Sequence, residues 1–300
     1  MQYARITTAI GDQIAHGQPQ RRAGFALRRH ATEPWVPLAS LGLSPADTAE
    51  LIEAAGQASA LLDAGRGTPA AGETMLGCPI VRPGKMIAIG LNYRDHIRET
   101  GATTPVSPVS FAKYPSSLND PCGAIIVDPG VTAEPDYEAE LAVVIGNPAF
   151  SVSTESALAC VFGYAVANDV SARDLQRRDP QLSRSKSLDT FCPIGPWITT
   201  ADEVPDPQAL SIESRVNGEL RQQSSTGEML FSVAELISFL SVTMTLLPGD
   251  VILTGTPHGV GMGRTPPVYL TAGDVVTAEI GALGQIRNRV VRPGTRRGSR

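Results

Sequence analysis

Residues 135–146 read Pro135-Asp136-Tyr137-Glu138-Ala139-Glu140-Leu141-Ala142-Val143-Val144-Ile145-Gly146. The apolar, β-branched run that closes this stretch suits a buried strand. A strand turns every second side chain to the same face, so Glu138 and Glu140 project side by side. Two neighbouring carboxylates repel. On a buried face they are tolerable only if a cation compensates them or one takes a proton, whereas at an exposed strand start both stand in water. From these residues alone both readings stay open.

Working outward, residues 161–167 form a second apolar run that ends in Asn168-Asp169, a strand end of the kind that often presents ligands from a rigid scaffold. Asp169 by itself reads as a turn or cap residue. Joined to Glu138 and Glu140 it completes a set of hard oxygen donors, which favours Mg²⁺, Mn²⁺ or Ca²⁺ over zinc. Upstream, Tyr93-Arg94-Asp95-His96-Ile97-Arg98-Glu99 looks helical. Its His96 and Glu99 share a helix face, so Glu99 can orient the imidazole as a general-base dyad, although such pairs also occur on solvated helices. The loose segment after it, with Pro105, Pro108 and Pro115, suits a lid. The glycine-rich 255–263 lacks G-K-[ST], and Pro266-Pro267 prevents the helix that a phosphate loop needs, so no nucleotide site is expected. A turn bringing backbone amides and Thr256 to a small anion fits better.

The flanking sequence sets the frame. Residues 3–8 alternate towards a turn at Gly11-Asp12, which reads as a hairpin. Ser44-Pro45 with Asp47 reads as the cap of a helix that reaches Leu62 and stops at Gly65. Residues 67–77, rich in Gly, Ala and Thr, suit a linker. Ser232 with Glu235 forms a capping box for a helix that Pro248-Gly249 ends before a strand at 250–254. The expected class is α+β and strand-dominated: a small N-terminal domain over 1–75, a catalytic domain over 76–291, and a basic, disordered tail over 292–300. Composition agrees, because 42% hydrophobic and 18% charged residues describe a globular chain. Gly 29 and Pro 24 make nearly 18% of it, against about 12% on average, and favour turns and short strands over a helical bundle. Net charge is −5, and without Arg287, Arg289, Arg292, Arg296, Arg297 and Arg300 it would be −11, so the body repels nucleic acid. The four cysteines lie far apart with no C-x-x-C pair, and no leader or membrane segment stands out, so free thiols in the cytoplasm are expected.

Taken together, these segments resemble the fumarylacetoacetate hydrolase family, in the branch of acylpyruvate hydrolases, oxaloacetate decarboxylases and hydroxyheptadienedioate isomerases. The likeness covers about residues 82–291. It runs through Gly90-Leu91-Asn92-Tyr93-Arg94-Asp95-His96, Tyr137-Glu138-Ala139-Glu140-Leu141 and Asn168-Asp169-Val170-Ser171-Ala172-Arg173-Asp174-Leu175-Gln176. Then come Ser185-Lys186-Ser187, Asp189-Thr190-Phe191, Pro193-Ile194-Gly195-Pro196, Pro248-Gly249-Asp250 and Thr254-Gly255-Thr256-Pro257. The resemblance implies a mixed β-roll or β-sandwich fold, a homodimer, and Mg²⁺ or Mn²⁺ held by Glu138, Glu140 and Asp169. It also implies Lys186 and the amides near Thr256 as partners of the substrate's carbonyl and carboxylate. Arg173 and Gln176 become further substrate contacts, and His96 with Glu99 lies on a lid hinged at Gly101. Without the resemblance, Lys186 reads as a surface lysine.

The chemistry expected first is hydrolysis of the C–C bond of 2,4-dioxo acids of the acylpyruvate or fumarylpyruvate type. A metal Lewis acid stabilises the developing enolate and His96 activates the attacking water. The alternatives are an oxaloacetate-type 2-oxo-acid decarboxylase, a 2-hydroxyhepta-2,4-diene-1,7-dioate isomerase, or a non-catalytic binding module on the same fold. The presence of all three ligands and the His-Glu pair speaks against the last.

Overall fold

A computed structural model describes residues 1–9, 21–71 and 74–294. The strand Ala139–Ile145, within the stretch quoted first, is buried at every position. That explains why it reads as a continuous apolar run rather than an alternating one. It pairs antiparallel with Val161–Asn168 on one side and with Val251–Leu253 on the other. These strands are the centre of an eleven-stranded sheet. Beyond Val161–Asn168 lie Cys192–Thr200 and then Gln2–Ala9, Arg21–Arg28 and Val36–Pro37. Beyond Val251–Leu253 lie Met86–Gly90, joined in parallel, and the edge strand Val109–Ala112.

A second, five-stranded sheet contains Glu219–Ser225, Ser211–Val216, Val275–Ile280, Gly284–Val291 and Ile125–Ile126. It packs on the large sheet through one shared core, in which Leu141, Val143, Tyr164 and Val166 meet Ile212, Ala278, Ile280 and Ile286. The opposite face of the large sheet, with Ala142, Val144, Ala165 and Ile198, is covered in part by Ile52. Ile52 belongs to helix α1, Thr48–Asp63. The strand-dominated, mixed-sheet class expected from the sequence is therefore the one observed.

Local details refine that reading. The hairpin forms, with Gln2 opposite Arg28 and Ala9 opposite Arg21; its expected turn at Gly11-Asp12 lies outside the described residues, as does 295–300 of the basic tail. Helix α1 is capped by Asp47 rather than Ser44. Asp47 lies extended and its carboxylate accepts the Glu50 N–H at 3.0 Å, while Glu50 reaches back to the Ala46 N–H at 2.7 Å. That acid three residues from Glu50 is the better acceptor for the orphan amides, and it leaves Pro45 outside the helix. The second half of the expected linker holds a strand, Thr74–Gly77, antiparallel to Gln2–Ala9. Leu76 gives it a reason, since that side chain packs against a cluster of Ala4, Ile6, Ala26 and Trp35. Gln2–Ala9 also pairs with Cys192–Thr200, so the N-terminal segment extends the central sheet. The capping box of Ser232 and Glu235 opens the helix Val233–Thr243 as expected. Among the described residues, no helix is long and apolar enough to cross a membrane.

Candidate active site

Glu138 stands at the extended entry to the strand Ala139–Ile145, Glu140 lies within it, and Asp169 follows the paired strand Val161–Asn168. The backbone ties them together: the Asp169 N–H donates to the Glu138 carbonyl at 2.9 Å, and the Glu138 N–H to the Asn168 side chain at 3.0 Å. One oxygen from each carboxylate lies within 4.8 Å of the others, and all three residues are buried. The exposed-strand reading is thereby excluded.

Compensating cations are present for two of the three. Lys186 Nζ donates to Glu138 at 2.5 Å and to Asp169 at 2.8 Å, and Arg173 Nη2 donates to Glu138 at 2.5 Å. Burial by itself would raise the Glu138 pKa, but Lys186 and Arg173 outweigh it and bring the carboxyl down to about 2. Among the described residues Glu140 has no such partner; it accepts the Gly255 N–H at 2.9 Å. Burial, and then the charges of Asp169 and Glu138, push its pKa well above the ordinary carboxylate value. One glutamate is held by cations, while the other is left in surroundings that disfavour its charge. Three hard oxygen donors, one of them lacking a cation, fit a hard divalent ion and offer no nitrogen or sulfur for zinc.

Helix α2, Arg94–Thr100, ends at Gly101 in the left-handed conformation, φ 64°, which a residue without a Cβ adopts freely. On it, His96 Nδ1 meets Glu99 Oε2 at 2.9 Å, and Glu99 Oε1 accepts the Gly259 N–H at 2.8 Å. Asp95 ties the same helix outward, accepting from Ser224 Oγ at 2.5 Å and lying 3.1 Å from His258 Nδ1. Gly263 comes so close to Glu99 that a methyl group there would run into the carboxylate. On the helix Arg173–Arg178, Arg173 Nη1 donates to Gln176 at 2.9 Å and Nε to Asp136 at 2.9 Å.

These elements enclose a cavity of about 280 Å³. His96, Glu138, Glu140, Arg173, Gln176, Lys186 and Thr256 line it, with Leu91, Val109, Phe111 and Met262 as apolar wall. Glu99, bonded to His96, and Asp169, which shares Lys186 with Glu138, are not among the lining residues. A larger cavity of about 440 Å³ beside Ile6, Phe25 and Leu38 is lined, among the described residues, by no titratable side chain.

Residues 85–291 match the family described as fumarylacetoacetate (FAA) hydrolase C-terminal. The chain belongs to the fumarylacetoacetate hydrolase family. Over 214 residues this family member is 48% identical to oxaloacetate tautomerase Fahd2a, mitochondrial, of Rattus norvegicus, covering 71% of this chain and 68% of that one. The solved fumarylacetoacetate hydrolase of Exiguobacterium antarcticum shares 37% identity and superposes with a TM-score of 0.83, covering 98% of this chain and all of that one. Maleylpyruvate hydrolase from Sphingobium sp. SYK-6, solved with manganese(II) ion and pyruvate, shares 30% identity at a TM-score of 0.75, covering 97% of this chain and all of the other.

Within this family fold, three site residues escaped the sequence reading. Asp136 is fully buried and accepts from Arg173, from the Gly261 N–H at 2.7 Å and from the Met262 N–H at 3.0 Å. Its signal was present, because it precedes Glu138 by two. Gln222, from the second sheet, accepts the Ala139 N–H at 3.0 Å and donates to Thr256 Oγ1 at 2.8 Å and the Pro257 carbonyl at 2.9 Å. Lys113 donates to Asp169 Oδ1 at 2.6 Å. Thr256 lines the cavity, but its hydroxyl proton goes to the Ala139 carbonyl at 2.9 Å. Lys186 is buried rather than on the surface.

Proposed function

We propose that this enzyme acts on small 2-oxo acids with Mg²⁺ or Mn²⁺ held by Glu138, Glu140 and Asp169, and that it moves a proton at the carbon beside the keto group, as in keto–enol tautomerisation of an oxaloacetate-type acid. The observation that carries this reading is one buried imidazole, with Nδ1 taken by Glu99, lining the same cavity as the carboxylate cluster. With Nδ1 so engaged, Nε2 is the nitrogen left to take a proton from substrate carbon and return it. A base of this kind contributes about 10²- to 10⁴-fold. When bound, the divalent ion supplies Lewis-acid stabilisation of negative charge on the keto oxygen.

The other residues follow from their present partners. Lys186, which now compensates Glu138 and Asp169, is the cation offered to the substrate carboxylate once an ion takes over those acids. Arg173 is committed to Asp136, Glu138 and Gln176, so its part is to hold Glu138 ionised and to orient Gln176 towards the substrate. Thr256 contributes through backbone amide, since its hydroxyl proton is already donated. The identity to an oxaloacetate tautomerase supports proton transfer over bond cleavage. Hydrolysis of an acylpyruvate is the second reading, favoured by the same imidazole acting on water and by the manganese and pyruvate of the maleylpyruvate hydrolase relative.

The test dissolves oxaloacetate as its enol and follows loss of the ultraviolet absorbance of that form, with Mg²⁺, with Mn²⁺ and with a chelator. An acylpyruvate is incubated in parallel and pyruvate release measured. The expected outcome is ion-dependent acceleration of enol loss that disappears in His96→Ala. Enol decay at the uncatalysed rate beside rapid pyruvate release puts the hydrolase reading in its place.

A further inference from the structure

Lys113 follows the edge strand Val109–Ala112 and is anchored there by its N–H, which donates to the Met86 carbonyl at 3.0 Å. Phe111, two residues earlier, lines the cavity. The Lys113 side chain goes deeper and is wholly buried, 0% exposed. An ammonium so placed is costly unless paired and hydrogen-bonded. Its partners are Asp169 Oδ1 at 2.6 Å and, in a second short contact, the backbone carbonyl of Lys186. The other oxygen of the same carboxylate, Asp169 Oδ2, meets Lys186 Nζ at 2.8 Å. One cation thus holds both a candidate ion ligand and the backbone of the residue that carries the second cation.

We infer that Lys113 is a positioning residue: by fixing Asp169 Oδ1 and the Lys186 carbonyl it leaves Asp169 Oδ2 for the divalent ion and Lys186 Nζ for the substrate. This rests on the proposed ion site. A group that acts only by its charge would behave in the opposite way. A fixed cation next to the pocket repels an entering divalent ion, so removing the charge would tighten binding. A group that orients a ligand strengthens binding, and losing such an outer partner weakens it by about 10- to 100-fold. The two roles differ in sign.

Mn²⁺ binding to the full chain, read by electron paramagnetic resonance and by calorimetry, decides between them. Lys113→Met keeps the stem and removes the charge and both hydrogen bonds. Lys113→Gln is the second variant, with a neutral donor and a smaller change in polarity. Metal-free thermal melts establish which variants are folded. Each folded variant is expected to bind Mn²⁺ at least about tenfold more weakly than wild type. Unchanged or tighter binding in a folded variant overturns the inference. A wild-type protein that binds no Mn²⁺ removes the ion-site reading itself, and shows this before any variant is compared.

Discussion

Loading the metal-free protein with Mn²⁺ near neutral pH should release about one proton per ion, because ligands must be deprotonated to bind, and Glu140 is its source. Three carboxylates, Asp136, Glu138 and Asp169, face three cations, Lys113, Lys186 and Arg173. A proton on Glu140 would leave these charges balanced in the metal-free pocket. Burial disfavours the charged form of Glu140, and the Asp169 and Glu138 charges add to this, so its pKa is raised. Glu138 sits at about 2 and stays ionised. For Lys186, burial favours the neutral amine but Asp169 and Glu138 outweigh it, so its pKa is raised and the ammonium persists. The sign follows: affinity for the ion climbs with pH, by about tenfold per unit while Glu140 is protonated in the free protein, and levels off above its raised pKa. Calorimetric titrations in buffers of different ionisation heat give the number of protons as a slope. Glu140→Gln should bind more weakly, with no slope and no pH dependence from this residue. A wild-type slope near zero, or a slope that survives in Glu140→Gln, refutes the assignment.

Three further outcomes are expected. Lys186→Met leaves Glu138 and Asp169 without their shared cation; the metal-free protein should lose about 3–5 kcal/mol in a denaturant melt, and turnover should fall at least about 10²-fold. A wild-type melt in that variant would contradict the buried pair. Gly263→Ala forces Glu99 off His96 and should depress turnover while calorimetry shows Mn²⁺ affinity unchanged; normal kinetics would mean that Glu99 does not orient the imidazole. Glu99→Gln should reduce turnover less than His96→Ala and shift the pH–rate profile, since it alters the basicity of the histidine rather than removing it; equal losses with an unmoved profile would contradict the dyad.

The parts of the site visible in the sequence are those whose signal is local. Glu138 and Glu140 announce themselves by strand spacing, His96 with Glu99 by helical spacing, and Asp169 by its place at a strand end, whereas Arg173 and Gln176 enter only through the family resemblance. Asp136 obeyed the same period-two rule as Glu138 and was overlooked because a strand-start acid is ordinarily solvated. Lys113 and Gln222 had no local signal. Their partners lie 56 residues away at Asp169 and 83 residues away at Ala139, brought together only when the sheets assemble. The same holds for the fold. The runs at 139–145 and 161–168 were legible from composition, whereas the strand inside the glycine-rich 67–77 was not, because Leu76 is apolar only usefully beside Ala4 and Ile6. The cap of helix α1 moved from Ser44 to Asp47 for a related reason: both side chains can accept an amide, and the choice rests on which one Glu50 completes.

Glu99 spends one carboxylate on two groups, the imidazole of His96 through Oε2 and the backbone of the 258–263 loop through Oε1. The position of the imidazole and that of the loop backbone are consequently set by one side chain. A shift of the loop backbone at Gly259 would therefore be felt at the imidazole, and a displaced His96 would be felt in the loop.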